Sequence, residues 1–246
     1  MEILRKDNRK CDQLRTIKIT RNVNKYALGS ALIEMGDTKV LCCVSMEEKV
    51  PLFLKNTGSG WLTAEYGMMP LSCPDRIMRT NYSSGRNMEI QRLVGRSLRS
   101  IVYLKNLGER TLWVDCDVIQ ADGGTRTAAI NGGFFALVDA LSLLNKRNIL
   151  KMSVLKDYIS AISVGIVNGE FYLDLSYNED SIAQVDFNVV MNGHGEFVEL
   201  QGTAEGISFS QNQLEKLISL ANKGIKEIIT IQKDILKDEI KGLLCK

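Results

Sequence analysis

The stretch DCDVIQADGGTRTAAI, residues 115–130, has a pattern suited to holding an anion. An alternating, β-branched run breaks at Asp122-Gly123-Gly124 and resumes as a helix of small residues. Two glycines allow a tight turn, the amides of Gly124 and Thr125 fall at the helix start, and Arg126 adds a fixed, forked charge beside them. No lysine follows the glycines as in a Walker loop, and their spacing is not that of a dinucleotide fingerprint. A lone phosphate group, free or in a polymer, therefore fits better than a nucleotide cofactor. A purely steric Gly-rich turn is spelled the same way, so the anion reading needs a second feature.

That feature is a set of acids. Asp174, Asp180 and Asp186 are evenly spaced in LDLSYNEDSIAQVD, with the first ending one strand and the last beginning the next. A connection between adjacent antiparallel strands brings its ends together, and converging carboxylates bind hard divalent cations or share a proton. The bland alternative is a turn built from residues that favour turns. An arginine-bearing anion turn combined with carboxylates suits attack of phosphate on a phosphate ester. The arginine neutralises nucleophile and transition state, while the acids hold Mg2+ or protonate the leaving oxygen.

Other residues are weighed against this pair of features. Arg86 stands at a helix start, where free amides reinforce its charge. Arg92, Arg96 and Arg99 form a stripe that would contact substrate or simply pair with neighbouring acids. Trp61 and Tyr66 would serve as stacking platforms for single-stranded RNA or as anchors of a loop. His194, the only histidine, sits in a turn with no nucleophile at hand, which removes hydrolase triads from consideration.

The elements that must position these groups are legible from periodicity. Residues 16–50 read as a β-meander with a tight connection at Met35-Gly36-Asp37. Residues 51–85 hold Pro51, Pro70 and Pro74, and read as a long loop. An amphipathic helix follows over 87–104, then a strand over 112–119, the glycine turn and a helix over about 127–144. Two hairpins come next, turning at Asn168-Gly169 and near residues 192–195, and a helix runs from Ser210 with Gln213 completing a capping box. Strands followed by helices, twice over, predict an α+β protein of two similar halves, each sheet covered by a pair of helices.

With 31 basic and 29 acidic residues the formal net charge is only +2, so nucleic-acid binding would have to come from local clusters. The six cysteines show no CxxC pair and read as free thiols of a reducing compartment. With no signal-like or membrane-length apolar run evident, a cytoplasmic protein without a membrane partner is expected.

With these residues in place, the chain closely resembles the bacterial ribonuclease PH family of phosphate-dependent 3′-to-5′ exoribonucleases, which trim transfer-RNA precursors. The resemblance is carried by GDTKVLCCVSMEE, GWLTAEYGMMP, GRNMEIQRLVGRSLR, LGERTLWVDCDVIQADGGTRTAAI, VGIVNGEFYLDLSYNEDSIAQVDFNVVM and ELQGTAEGISFS, and covers almost the whole chain. It implies one domain over residues 1–246, of the ribosomal protein S5 domain 2-like type with two βαβα-like halves. It also implies a homohexameric ring, a trimer of dimers, acting on tRNA precursors and other RNA such as ribosomal RNA. In the implied reaction inorganic phosphate, as co-substrate, attacks the terminal phosphodiester and releases nucleoside diphosphates, reversibly. Carried over by motif, Arg86, Gly124, Thr125 and Arg126 would bind phosphate. Asp180 and Asp186 would supply the acid and hold Mg2+, with their division of labour left open. The segment LSCPDRIMRTNYSSG is shorter and less basic than the family's usual one, keeping only Arg76 and Arg79, which with Arg92 are the candidate RNA contacts. A catalytically silent, RNA-binding ring subunit is the alternative function, and a metal-dependent hydrolase ranks third.

Overall fold

The structure is a computed structural model that describes residues 5–78, 84–150 and 152–245. Nine strands form two sheets among the described residues. The first sheet begins with the meander β1 (Ile17–Arg21), β2 (Gly29–Met35) and β3 (Thr38–Glu47), where the β2–β3 turn falls at Gly36-Asp37 as expected. It is completed by β5 (Thr111–Gln120) and β4 (Trp61–Met68) in the order β1-β2-β3-β5-β4. β4 and β5 run parallel, and parallel neighbours need a crossover. Here α1 (Gly85–Ser100) and the short α2 (Leu104–Leu107) provide it.

β4 corrects the expectation of a long loop over 51–85. Leu62, Ala64 and Tyr66 alternate into the core, a period-two pattern hidden between prolines at 51 and 70 that lie outside the strand. The prolines punctuate the element without interrupting it.

The second sheet is antiparallel throughout, in the order β7-β6-β8-β9. β6 (Ile159–Val167) and β7 (Glu170–Leu173) form the first expected hairpin, with Asn168 and Gly169 both at positive φ, 51° and 83°, as a type I′ turn demands. The one-turn helix α4 (Tyr177–Asp180) leads to β8 (Val185–Asn192) and β9 (Phe197–Ala204). The C-terminal α5 (Gln211–Ile235) starts with the capping box of Ser210 and Gln213.

α3 (Thr125–Lys146) lies between the sheets, packed on β2 and β3 on one side and on β6 on the other. Every residue of β6 is buried, because α3 covers one face and α5 the other. The halves are thus less alike than expected: the second sheet borrows one of its two helices from the first half. Helix-interior glycine costs about 1 kcal/mol, yet at Gly132 a β-carbon would fall 2.7 Å from Ile33 Cγ2 and 2.9 Å from Cys42 Sγ. That glycine lets α3 settle onto β2 and β3. By length and composition α3 is apolar enough to cross a bilayer, contrary to the reading of the sequence. However, 94% of its most apolar window is buried inside the fold, which makes it the core helix of this protein.

Candidate functional site

The glycine turn links β5 to α3. Gly123 and Gly124 both adopt positive φ, 73° and 63°, and Gly124 is the N-cap of α3 with no side chain capping the first turn. The leading amides of a 22-residue helix are left to an external acceptor, at the end where the helix dipole is positive. Thr38 Oγ1 fixes the turn by donating to Gly123 O at 2.7 Å and accepting from Asp122 N at 2.9 Å. Tyr66, only 1% exposed, donates to Thr125 Oγ1 at 2.8 Å. Tyr66 is an anchor of the site's floor rather than a platform for a base.

The second half docks onto this turn. A β-carbon on Gly123 would lie 2.5 Å from Leu175 O and 2.8 Å from Tyr177 N, so the segment before α4 approaches where only glycine fits. Tyr177 N donates to Asp122 Oδ1 at 3.2 Å across the same contact. From behind, buried arginines of the N-terminal segment hold the assembly. Arg15 reaches the Asp122 carbonyl and pairs with Asp174 through Nη2 at 2.7 Å. Arg5 clasps Glu179 on both carboxylate oxygens and donates to Leu173 O at 2.6 Å. Glu179 also closes the capping box of α4 on Ser176. Burial pushes the Glu179 carboxyl up, but its bonds from Arg5 and Ser176 bring it below the usual carboxylate range. The next residue along α4 is Asp180.

Arg86, Gly124, Thr125, Arg126, Asp180 and Asp186 all line one cavity of about 320 Å3. Asp180 and Asp186 are both perturbed there. Desolvation raises Asp180 despite the opposing pull of Arg126, Arg86 and Arg15. Asp186 is pushed up to about 6, first by burial and then by the Asp180 charge, with Arg126 and the Asn188 amide acting the other way. Asn188 Nδ2 is 3.3 Å from both Asp186 oxygens. Arg126 donates from Nη1 to Gln201 Oε1 at 2.7 Å, and Gln201 Nε2 in turn donates to Glu89 at 2.6 Å, so β9 and α1 together orient the guanidinium. The cavity has a cationic wall with open helix amides facing a pair of acids that resist ionisation. Such a site can hold a phosphate group and keep a proton at hand near neutral pH.

Not every sequence candidate is brought here. Asp174 drops out of the acid cluster: it is fully buried, and Arg15 consumes its charge. Arg76 is exposed beside the rim formed by Asp75 and Ile77, and Arg92 is exposed on α1 without lining the cavity. Arg79 lies outside the described residues. Arg96 pairs with Glu199 at 2.8 Å, while Arg99 donates to Leu62 O and lies over the Trp61 ring, so these two have structural partners. His194 pairs with Asp157 elsewhere on the surface. Sequence reasoning missed Gln201, which is far along the chain from Arg126 and reaches it through the β8–β9 ladder, and passed over Tyr177 and Asn188, which stand within three residues of Asp180 and Asp186.

The described residues contain no cluster of three or more metal-ligating side chains. Two carboxylates nevertheless fit Mg2+, which commonly takes one or two protein carboxylates and completes its shell with water and substrate phosphate. Asp186 is raised first by burial and then by repulsion from Asp180, and a cation would offset the repulsion.

Fold and cavity together define a two-sheet α+β protein with an arginine–carboxylate site where the glycine turn of the first sheet meets the acid-bearing segment of the second. The chain belongs to the 3′ exoribonuclease family: residues 13–142 match the model of the family's domain 1 and residues 157–224 that of domain 2. Its fold is similar to a chain of the Archaeoglobus fulgidus exosome with RNA bound to the active site, at a TM-score of 0.78 and 21% identity over 94% of this chain and 93% of that one. It is also similar to rice (Oryza sativa) Rrp46, at a TM-score of 0.74 and 24% identity over 94% of this chain and 100% of that one. An archaeal exosome core chain matches at 0.73 and 21% over 96% and 92% of the two chains.

Proposed function

We propose that the protein is a phosphorolytic 3′-to-5′ exoribonuclease that shortens RNA with a free 3′ end, transfer-RNA precursors among them, and works in a homohexameric ring built as a trimer of dimers. The observation that carries this reading is the convergence of Arg86, Gly124, Thr125 and Arg126 with Asp180 and Asp186 on one cavity. Membership of a 3′ exoribonuclease family and a fold shared with exosome subunits support it.

In this mechanism Arg86, Arg126 and the amides of Gly124 and Thr125 hold inorganic phosphate. A phosphate oxygen attacks the phosphorus of the terminal phosphodiester and the bond to the penultimate 3′-oxygen breaks. A nucleoside diphosphate leaves, and the shortened RNA keeps a free 3′-hydroxyl. Asp186 is the proton donor in this reading, since burial and the Asp180 charge push its carboxyl up to about 6 and let it keep a proton nearer neutral pH, and it delivers that proton to the leaving 3′-oxygen. Asp180, nearer the solvent side, and Asp186 are the residues that would hold Mg2+, whose charge offsets that building on the phosphoryl oxygens. In reverse, the Asp186 carboxylate takes the proton from an incoming 3′-hydroxyl as a diphosphate is consumed.

The test is release of nucleotides from a short 3′-tailed RNA with Mg2+, with and without inorganic phosphate. Nucleoside diphosphates that appear only with phosphate are expected. Monophosphates formed without phosphate would replace this reading with a hydrolase. RNA binding without product in either arm would leave a silent subunit of an exosome-like assembly, the second reading favoured by the kinship with exosome chains.

A further inference from the structure

The cavity lining is of two unlike kinds. Besides the arginines and acids, its lining includes Met68, Cys73, Pro74, Ile77 and the ring-bearing Tyr177. Met68 ends β4, and the segment after it is tied down beside the glycine turn: Ala121 N donates to Ser72 O at 2.7 Å and Ile77 N to Pro70 O at 2.8 Å. Tyr177 is 61% exposed although its backbone is rigidly set, with its amide on Asp122, its carbonyl accepting from Ser181 N, and α4 locked by the Ser176–Glu179 box. An exposed aromatic on a fixed backbone, three residues before a site acid and on the lining of the same cavity, places a ring beside a polar reaction centre. An exposed aromatic alone is commonplace. One that shares a small cavity with a phosphate-type site is suited to a ligand that is itself half anionic and half aromatic.

We propose that Tyr177, which shares the cavity lining with Pro74 and Ile77, forms a stacking slot for the base of the 3′-terminal nucleotide. This rests on the phosphorolytic reading above and assigns how the site holds the terminal nucleotide whatever its base. A volume of about 320 Å3 is at the small end for ligand sites, so the slot takes one nucleotide rather than a run of RNA. Stacking accepts every base, since each has a π-face. The slot therefore grips the terminal nucleotide without reading its identity, and the same contact holds the base of a departing or incoming nucleoside diphosphate.

The experiment measures equilibrium binding of ADP, GDP, CDP, UDP and ribose 5-phosphate to the full chain by calorimetry, with Mg2+, for wild type, Tyr177→Ala, Tyr177→Phe and Arg126→Ala. Tyr177→Ala is expected to weaken all four diphosphates by about tenfold, in line with the loss of one aromatic stack, and to leave ribose 5-phosphate unchanged. Tyr177→Phe is expected to restore wild-type affinity. Wild-type diphosphate affinity in Tyr177→Ala, with Arg126→Ala weakened, would overturn the slot alone, as would an equal loss of ribose 5-phosphate. Undiminished binding by Arg126→Ala, or no diphosphate binding by wild type, would instead overturn the phosphate-site reading beneath it.

Discussion

Gly123 and the carbonyl of Leu175 stand so close that a β-carbon on the glycine would lie 2.5 Å from the oxygen. This single contact joins the anion turn of the first sheet to the acid-bearing segment of the second. The backbone here is also left-handed, at φ 73°, so any side chain is strained as well as obstructed.

Gly123→Ala should therefore cost at least about 1–3 kcal/mol in backbone strain alone and should push Asp180 away from Arg126, lowering phosphorolysis more than tenfold. Gly169→Ala is the control. Its φ is 83°, but a β-carbon there meets nothing within 4 Å, so it should lose stability to strain and keep its turnover. Equal turnover of the two variants would remove the docking role of Gly123.

The Arg126–Gln201–Glu89 chain separates the presence of a charge from its aim. Arg126→Ala should lower kcat/KM for phosphate by at least tenfold, as expected for loss of one preorganised charge. Gln201→Leu keeps the charge and removes its tether, so the phosphate KM should rise several-fold while kcat changes little. Steady-state kinetics with phosphate as the varied substrate distinguishes the two, and an unchanged KM in Gln201→Leu would leave Arg126 oriented by other means.

How much of this was visible in the sequence depends on distance along the chain. The glycine turn, both hairpins and the capped C-terminal helix are local, and each is encoded within a few residues, as with Asn168-Gly169 or Ser210 and Gln213. Asp180 and Asp186 do share the cavity, but not through adjacent strands as their spacing suggested: β7 and β8, which flank α4, are separated in the sheet by β6, and α4 carries the chain across. Asp174 was misplaced because its spacing matched theirs, while its fate was decided by Arg15, 159 positions away. β4 was hidden by flanking prolines. Gln201 carries no local signature and only the folded chain brings it to Arg126, whereas Tyr177 stands inside the acid motif with nothing in the sequence to say that it faces the cavity.

The Arg5–Glu179 pair is buried on both sides and fixes α4, so breaking it should be costly. Arg5→Met removes the main partner of the Glu179 charge and leaves it Arg9 at 3.6 Å and the Ser176 bonds, so a loss of about 3 kcal/mol in chemical denaturation is expected. Combining Arg5→Met with Glu179→Leu should recover most of that stability, because no stranded charge remains. The Glu179 carboxyl is held below its usual range, so the stability it contributes is complete above that range and lost as pH falls through its folded value. The gap between wild type and the double variant should accordingly narrow under acid. A double variant no more stable than Arg5→Met would show that the pair is not what anchors α4.

Asp186 works against folding for the sake of the site. Its carboxyl titrates at about 6 in the fold against 3.8 as an ordinary aspartate, so the folded state binds the extra proton between those values. Stability must then fall as pH rises from about 4 to about 6, and the full penalty remains above that, when Asp186 is ionised in both states. At about 1.4 kcal/mol per pKa unit the penalty reaches up to about 3 kcal/mol. Asp186→Asn abolishes it. With EDTA present to exclude divalent cations, the variant should be more stable than wild type at pH 7.5, and the two should converge below pH 4. Adding Mg2+ should stabilise wild type and leave Asp186→Asn nearly unmoved, while phosphorolysis by the variant should be lost. Thermal melts at the two pH values and in the two metal conditions make the comparison. A variant less stable than wild type at pH 7.5 would mean that the Asp186 carboxylate is a structural partner rather than an acid kept protonated by its surroundings.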